Sequence, residues 1–405
     1  MSSKKILYIS YDGMTDPLGQ SQVLAYLRLL SRENTGFDIV SYEKPGTYKS
    51  SQGIVESFIS GYDIRWHPLP YTKKPPVLST LNDLRRGWSL IKDLYRKKHF
   101  DIVHCRGYIP ALLGRKCKQR FGSKFIFDMR GWWADEKRES GLWNNPLYIP
   151  VYRYFKHLER AFFRESDRAV SLTHAGKEFI VSKKLKEEDK IAVIPTCVDF
   201  DIFRPFDRGE RNRVRSKLNI PESAVVLVYS GSVGGNYRTD VVCEVFRTQL
   251  EKINENSVLL FLTQAEQETV MKLIAPYNLP PEKIRIAGVP FTGVSSYLMA
   301  GDLGLIFYDH RFSSIGRSPT KLGEYWACGL PFISGKGIGD LDYLAEKYPR
   351  GGYLLESLSG EQYTNVLKEF KNNPADKQRL RAYAEDYYDI RKGVAAYYDL
   401  YKDVL

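Results

Sequence analysis

No stretch of this chain stays apolar and uncharged for the ~18 residues that a bilayer-spanning helix needs, so nothing in it reads as a transmembrane segment. Cysteine is scarce. Cys105, Cys117, Cys197, Cys243 and Cys328 are five in all, scattered and without paired metal-type spacing, which argues against a disulfide framework or a zinc site and points to a reducing cytosol. The opening "MSSKKILYIS" has basic residues ahead of an apolar run, but that run, Ile6 to Ile9, is four residues long and enters a loop. It reads as a first strand rather than a signal peptide. Short repeats and low-complexity tracts are lacking. The second half also lacks a charge surplus, with 26 Lys and Arg against 26 Asp and Glu in residues 201–405. Residues 1–200 hold 34 against 22, so the whole net charge of +12 lies there. Such asymmetry marks an anionic partner for the first half: a membrane surface, a nucleic acid or a phosphate-bearing substrate.

What is present is enough for two cores. At 405 residues and 43% apolar composition, the chain is expected to form two domains of about 150 to 200 residues. Both halves open alike. "KKILYIS" leads through the loop "YDGMTDPLGQSQ" into the apolar-periodic "VLAYLRLLSRE"; "AVVLVYSGSVGGNYRTD" leads into "VVCEVFRTQLEKI". Strand, glycine loop and helix in that order, twice, predict two Rossmann-like α/β domains with parallel sheets. Further strand candidates are "FDIVSY", "YDIRWHPL", "FDIVHCR", "KFIFDMR" and "DRAVSLT", then "VLLFLT", "IRIAG", "DLGLIFY" and "LPFIS". The expected division is 1–200, 201–375 and a Tyr-rich helical segment 376–405 that packs back toward the first domain.

The densest chemical signal is "RSPTKLGEYWACGLPFIS", Arg317 to Ser334. Ser318 reads as N-cap, Pro319 as the first helical residue and Gly329 as the stop. The open N–H groups at Thr320 and Lys321 would favour phosphate, with Arg317 and Lys321 adding positive charge. Leu322, Tyr325 and Trp326 can face the sheet, while Lys321, Glu324 and Cys328 follow a separate stripe. Glu324 then stands a turn behind a phosphate site, where its oxygens can accept from ribose hydroxyls. The plain alternative is an exposed Glu324 paired with Lys321, worth about 0.3–0.5 kcal/mol.

"SPTKLGEYWACGLPFI" resembles the donor-binding segment of the retaining family 4 glycosyltransferases, which have the GT-B architecture of two Rossmann-like domains facing each other across a cleft. "DPLGQSQ", "DIVHCRGY", "DMRGWWADE", "VIPTCVDFDIFRP", "YSGSVGG" and "IAGVPFTGVSSYLMAGDLGLIFY" follow in the family's order. The resemblance implies that Glu324 binds the donor ribose and that Ser318, Pro319, Thr320 and Lys321 hold the diphosphate. It places the backbone at Val289 near the nucleobase, and Gly19 and Gln20 where the N-terminal loop meets donor phosphate and acceptor. For Gly19 a simple turn is the alternative.

There are two departures from the family pattern. The first acid of the family's E-x7-E pair falls at Gly316 and is missing. Ser232 stands where an Arg is usual, and Arg238 roughly where a Lys is usual, so Arg238, Arg317 and Lys321 are expected to meet the phosphate charge.

In "FIFDMRGWWADE", Asp128 ends a strand, and Arg130, Asp135 and Glu136 follow at the edge that faces the cleft in such sheets. Arg130 and Asp135 read as acceptor or sugar contacts, joined by Glu136; the alternative is a surface ion-pair loop. His104, at another strand end, is either a satisfied core residue or a catalytic candidate. Arg106 occupies the place where the family often has a catalytic-site histidine.

The implied reaction is transfer from a nucleotide-diphosphate sugar, UDP preferred over GDP, to a glycan or lipid-linked acceptor, with retention. Preorganised N–H groups and cations would stabilise the leaving phosphate. "DFD" (Asp199–Asp201) and "DLD" (Asp340–Asp342) mimic a metal motif, but no cofactor or essential metal is expected. "TLNDLRRGWSLIKDLYRKK" places Leu81, Leu84, Trp88, Ile91 and Tyr95 on one stripe with Arg85, Arg86, Lys92, Arg96 and Lys97 nearby. With "GRKCKQR" and "YRYFKHLERAFFR" it suggests peripheral contact with an anionic membrane at its cytoplasmic face. The rivals are an epimerase, a phosphorylase, an inactive glycan-binding relative and a nucleic-acid binder; the last leaves the phosphate-type helix unexplained.

Overall fold

The computed structural model describes residues 4–405, which divide into two compact units. The first comprises residues up to Pro195 together with Ile390–Leu405; the second is Thr196–Asp389.

The first unit is built on seven parallel strands: β1 (Lys4–Ser10), β2 (Thr35–Glu43), β3 (Ile64–Pro70), β4 (Ile102–Arg106), β5 (Lys124–Asp128), β6 (Arg168–Ser171) and β7 (Ile191–Val193). Their spatial order is β3-β2-β1-β4-β5-β6-β7. The second holds β8 (Val225–Ser230), β9 (Ser257–Leu262), β10 (Ile284–Ala287), β11 (Leu303–Ile306), β12 (Phe332–Gly335) and β13 (Gly352–Leu355), ordered β10-β9-β8-β11-β12-β13. Each is the doubly wound order. The chain reverses its winding between β1 and β4, and between β8 and β11, and open α/β sheets bind ligands beyond the strand ends at such a reversal. Central strands are continuous apolar runs because helices cover both faces: "SVLLFL" of β9 is buried throughout.

The structure corrects several expectations. The first unit ends at Pro195, not near residue 200, because Thr196 and Val198 already hydrogen-bond within the second unit, to Ser318 and to the Tyr388 carbonyl. The C-terminal segment is shared. Helix Lys377–Tyr387 buries Leu380 and Ala384 in the second unit's core, and only Ile390–Lys402 joins the first. "DPLGQSQ" is not a loop either, since the helical path begins at Pro17 and widens into a π-type turn over Gln20–Leu24.

The helix Leu78–Lys97 buries Ser79, Asp83, Gly87, Ile91 and Leu94. Of the stripe read from sequence only Ile91 is fully buried, and Leu81 lies exposed. Polar contacts set that rotation. Buried Asp83 accepts from the Tyr11 hydroxyl at 2.9 Å and the Thr72 N–H at 3.1 Å, and pairs with Arg86. Gly87 passes so close to Tyr42 that a Cβ there would lie 2.1 Å from its hydroxyl oxygen.

Candidate active site

In the second unit the helix Thr320–Ala327 is buried from Lys321 onward. Tyr325 fixes it at the sheet's reversal: its hydroxyl accepts the Ser230 N–H at 3.0 Å and lies 3.4 Å from the Val228 and Leu305 carbonyls, between β8 and β11. Gly304 makes the room, since a Cβ there would lie 2.3 Å from the Tyr325 ring. The helix ends as the sequence implied. Gly329 takes φ +78°, its N–H bonds to the Trp326 carbonyl, and the Leu330 N–H bonds to that of Tyr325; this is the Schellman arrangement.

Its start differs from the expectation. Pro319, extended at φ −67°, ψ 111°, is the N-cap, and Ser318 is no cap. Thr196 claims Ser318 instead: its N–H reaches the Ser318 Oγ at 3.2 Å and its hydroxyl donates to the Ser318 carbonyl at 2.9 Å. No side chain therefore caps the helix.

Lys321 and Glu324 are 7% and 8% exposed, so the reading of Glu324 as an exposed ion-pair residue fails. The Lys321 ammonium has no hydrogen-bond partner. It lies over three tyrosine rings, 4.4 Å from the centre of Tyr229, 5.1 Å from Tyr237 and 5.5 Å from Tyr308. Burial pushes Lys321 down to about 7, against the pull of Glu324. Burial likewise pushes Glu324 up to about 7, with Lys321 opposing. Arg317 stacks its guanidinium 4.7 Å from the Tyr308 ring centre. Gly231, at φ +117°, lets the loop after β8 pass; a Cβ would lie 3.3 Å from the Lys321 Nζ.

The remaining donor candidates are engaged differently. Arg238 forks onto Asp240 at 2.5–2.9 Å and comes within 3.9 Å of Asp309, so it is not an open phosphate cation. Ser232 is exposed in the loop after β8, its carbonyl accepting from the Tyr229 hydroxyl. The Val289 carbonyl accepts from the Gln264 amide at 2.6 Å. Gly316, itself buried, closes a 3-10 turn over Phe312–Gly316 and brings no carboxylate. The aspartates of "DFD" and "DLD" anchor their own surroundings. Asp199 accepts from the Asp201 N–H, Asp340 from the Tyr387 hydroxyl and Asp342 from the Gly337 N–H.

In the first unit, the ends of β4 and β5 bring Arg106, Asp128 and Arg130 together. Asp128 is fully buried, with Arg130 at 3.8 Å, the Tyr397 hydroxyl at 3.0 Å and His104 at 3.4 Å. Burial alone would raise this carboxyl, and Arg130, His104 and Arg106 together hold it below its ordinary value. Arg130 takes φ +57°, a left-handed conformation uncommon for its type. Arg106 Nη1, Arg130 Nε and Asp128 Oδ1 are buried without hydrogen-bond partners, while Arg106 also meets Asp12 at 3.4 Å.

Three residues singled out in the sequence make contacts within the fold. His104 bonds through both ring nitrogens, to Tyr401 at 2.7 Å and to Asp128, and burial lowers its pKa against the pull of Asp128. Asp135 is committed to Tyr152 at 2.9 Å and Lys156 at 2.8 Å, between helices Trp133–Glu139 and Ile149–Glu165. Gly19 is fixed by backbone packing, since a Cβ would lie 2.1 Å from the Gly13 carbonyl oxygen. That loop is pinned by buried Glu43, which accepts from the Met14 and Thr15 N–H groups and the Thr15 and Ser41 hydroxyls. Gln20 donates to the Thr15 carbonyl at 3.4 Å, and Glu136 is half-buried beside Asp135.

The tyrosine ring set around Lys321 was not read from the sequence. Its only sequence trace is a Tyr at or near each of two strand ends and one in the glycine loop.

Residues 20–202 match the family model described as Glycosyltransferase Family 4. The D-inositol 3-phosphate glycosyltransferase of Thermomonospora curvata is 21% identical over 344 residues, covering 81% of this chain and 77% of that enzyme. The enzyme of the same name from Streptomyces avermitilis is 22% identical over 296 residues, 71% of this chain but only 61% of its own length. Among solved structures, Anabaena HepE in complex with UDP and glucose superposes with a TM-score of 0.69 over 98% of this chain and 99% of that one, at 11% identity. The family match thus spans just under half of the chain, whose two parallel-sheet units have the fold of the GT-B glycosyltransferases.

Proposed function

We propose that this glycosyltransferase moves a sugar from a nucleoside-diphosphate sugar to a glycan or lipid-linked saccharide, retaining the anomeric configuration and using no metal. The observation that carries the reading is the Lys321 ammonium, buried and without a hydrogen-bond partner, at the winding reversal of the second unit's sheet. An uncompensated buried cation calls for an anion. The donor diphosphate supplies it, with Arg317 and the open N–H groups at the start of Thr320–Ala327 completing the contact. Glu324, one turn on, takes the ribose hydroxyls. The backbone at Val289 faces the base. UDP is the favoured nucleotide, consistent with the UDP bound to Anabaena HepE.

In the reaction, the bond from the anomeric carbon to the phosphate oxygen breaks, and a bond to the acceptor oxygen forms on the same face. The acceptor proton passes to the departing phosphate oxygen, so no dedicated base is needed. Lys321 and Arg317 stabilise the charge that grows on that oxygen, which is electrostatic catalysis. Arg106, Arg130 and Asp128 offer open donors and an acceptor for the acceptor's hydroxyls. No described helix is long and apolar enough to cross a membrane. Peripheral contact at the cytoplasmic face is assigned to the outer side of Ile149–Glu165, where Arg153, His157, Arg160 and Arg164 are exposed near exposed Leu147 and Ile149.

A second reading, a sugar-nucleotide binder that does not transfer, is favoured only by the missing acid at Gly316. Purified protein incubated with labelled UDP-sugars and saccharide acceptors separates the two. Transfer with retention, read by NMR of the new linkage, supports the enzyme; nucleotide binding without product supports the binder.

A further inference from the structure

Buried lysines ordinarily neutralise their charge on a carboxylate, and this one does not. Among the described residues, no acid lies within ion-pair distance of Lys321. We propose that Tyr229, Tyr237 and Tyr308 form an aromatic cage that positions the Lys321 ammonium for the donor diphosphate. This rests on the nucleotide-sugar reading above and adds residues to it that no family motif supplies.

The three ring faces lie 4.4, 5.1 and 5.5 Å from the ammonium, within reach of a cation–π attraction. A ring attracts the cation through its quadrupole without accepting a conventional hydrogen bond. The N–H donors, which a carboxylate would occupy, therefore stay available for phosphate oxygens. The cage is itself held. Tyr237 and Tyr308 are joined by an antiparallel backbone bridge, their ring centres 5.2 Å apart, and the Tyr229 hydroxyl bonds to the Ser232 carbonyl. Tyr308 also carries Arg317 at 4.7 Å, so one ring gathers two cations. The nearby acids leave the Lys321 ammonium without an ion pair: Glu324 sits one turn on, and Asp309 faces Arg238 and Arg311 at 3.9 and 3.5 Å.

The test is a double-mutant cycle read by calorimetric titration, using whichever of UDP, GDP, ADP and dTDP the wild type binds most tightly. Tyr237→Leu and Tyr308→Leu should each weaken binding about tenfold, whereas Tyr237→Phe and Tyr308→Phe keep the ring face and stay within about threefold of wild type. In a Lys321→Met background the Leu substitutions should add less than about twofold, because their effect runs through the ammonium. Equal losses in both backgrounds, or Phe variants as weak as Leu variants, would overturn the cage while leaving the donor reading intact. A wild type that binds none of the four nucleotides would overturn the donor reading and the cage with it. Unchanged melting temperatures in the Phe variants separate positioning from folding.

Discussion

Lys321 and Glu324 stand three residues apart on one buried helix, and neither forms an ion pair with any described residue. Two buried ionisable groups without partners cost stability wherever they are charged. Lys321 falls from 10.5 to about 7 on folding. Between those values the unfolded chain holds a proton that the folded chain has released, so this lysine makes stability rise with pH. Glu324 rises from 4.5 to about 7, and between those values it makes stability fall as pH rises. The ligand-free protein should therefore carry its largest penalty from the pair near pH 7. Lys321→Met should raise the melting temperature at pH 6 by more than at pH 9, and Glu324→Gln should raise it at pH 7 by more than at pH 5. Calorimetric melts across that range check both; pH-independent differences would show that the pair does not titrate in this window.

Gly19→Ala places a methyl group against the Gly13 carbonyl, where a Cβ would lie at 2.1 Å. Overpacking of this kind costs about 1–3 kcal/mol. The variant should lose stability to urea with or without nucleotide. Unchanged stability with impaired transfer would instead restore Gly19 as a ligand-approach glycine.

Asp128→Asn removes the buried charge that faces Arg130 at 3.8 Å and weakens the anchor for Tyr397 on the C-terminal helix. Losing one partner of a buried pair typically costs about 3–5 kcal/mol. Urea unfolding at pH 7 should show a drop of that order, and amide exchange should speed up across Ile390–Lys402. A drop below about 1 kcal/mol would mean the carboxylate does not hold that helix.

What the sequence disclosed follows from where local signals decide structure. Buried parallel strands are apolar runs, so the two sheets were legible apart from β7, only three residues long, and β13, whose "GYLL" starts on the second glycine of a pair. The helix holding Lys321 and Glu324 was legible from Pro319 and Gly329. Its N-cap was not, because Thr196, 122 residues away, captures the Ser318 hydroxyl. The face of Leu78–Lys97 was misread because Asp83 and Gly87 carry no apolar signal, yet they fix the rotation through Tyr11, Thr72 and Tyr42. The tyrosines around Lys321 come from three separate segments, and no spacing rule joins positions that meet only through the sheet.

Peripheral membrane contact predicts co-sedimentation with vesicles containing anionic phosphatidylglycerol and little with phosphatidylcholine alone. Each cation near such a surface is worth about 1 kcal/mol. Arg153→Glu with Arg160→Glu, both exposed on the outer side of Ile149–Glu165, should abolish the anionic preference at moderate salt. Binding that persists in the double variant would move the contact elsewhere on the basic half.

The proposed function places the donor site at Glu324 and Lys321, and titration of UDP into wild type, Glu324→Ala and Lys321→Met tests that most directly. Wild type should bind, and each variant should bind at least tenfold more weakly and lose transfer while remaining folded. Wild-type affinity and turnover in Glu324→Ala would contradict it.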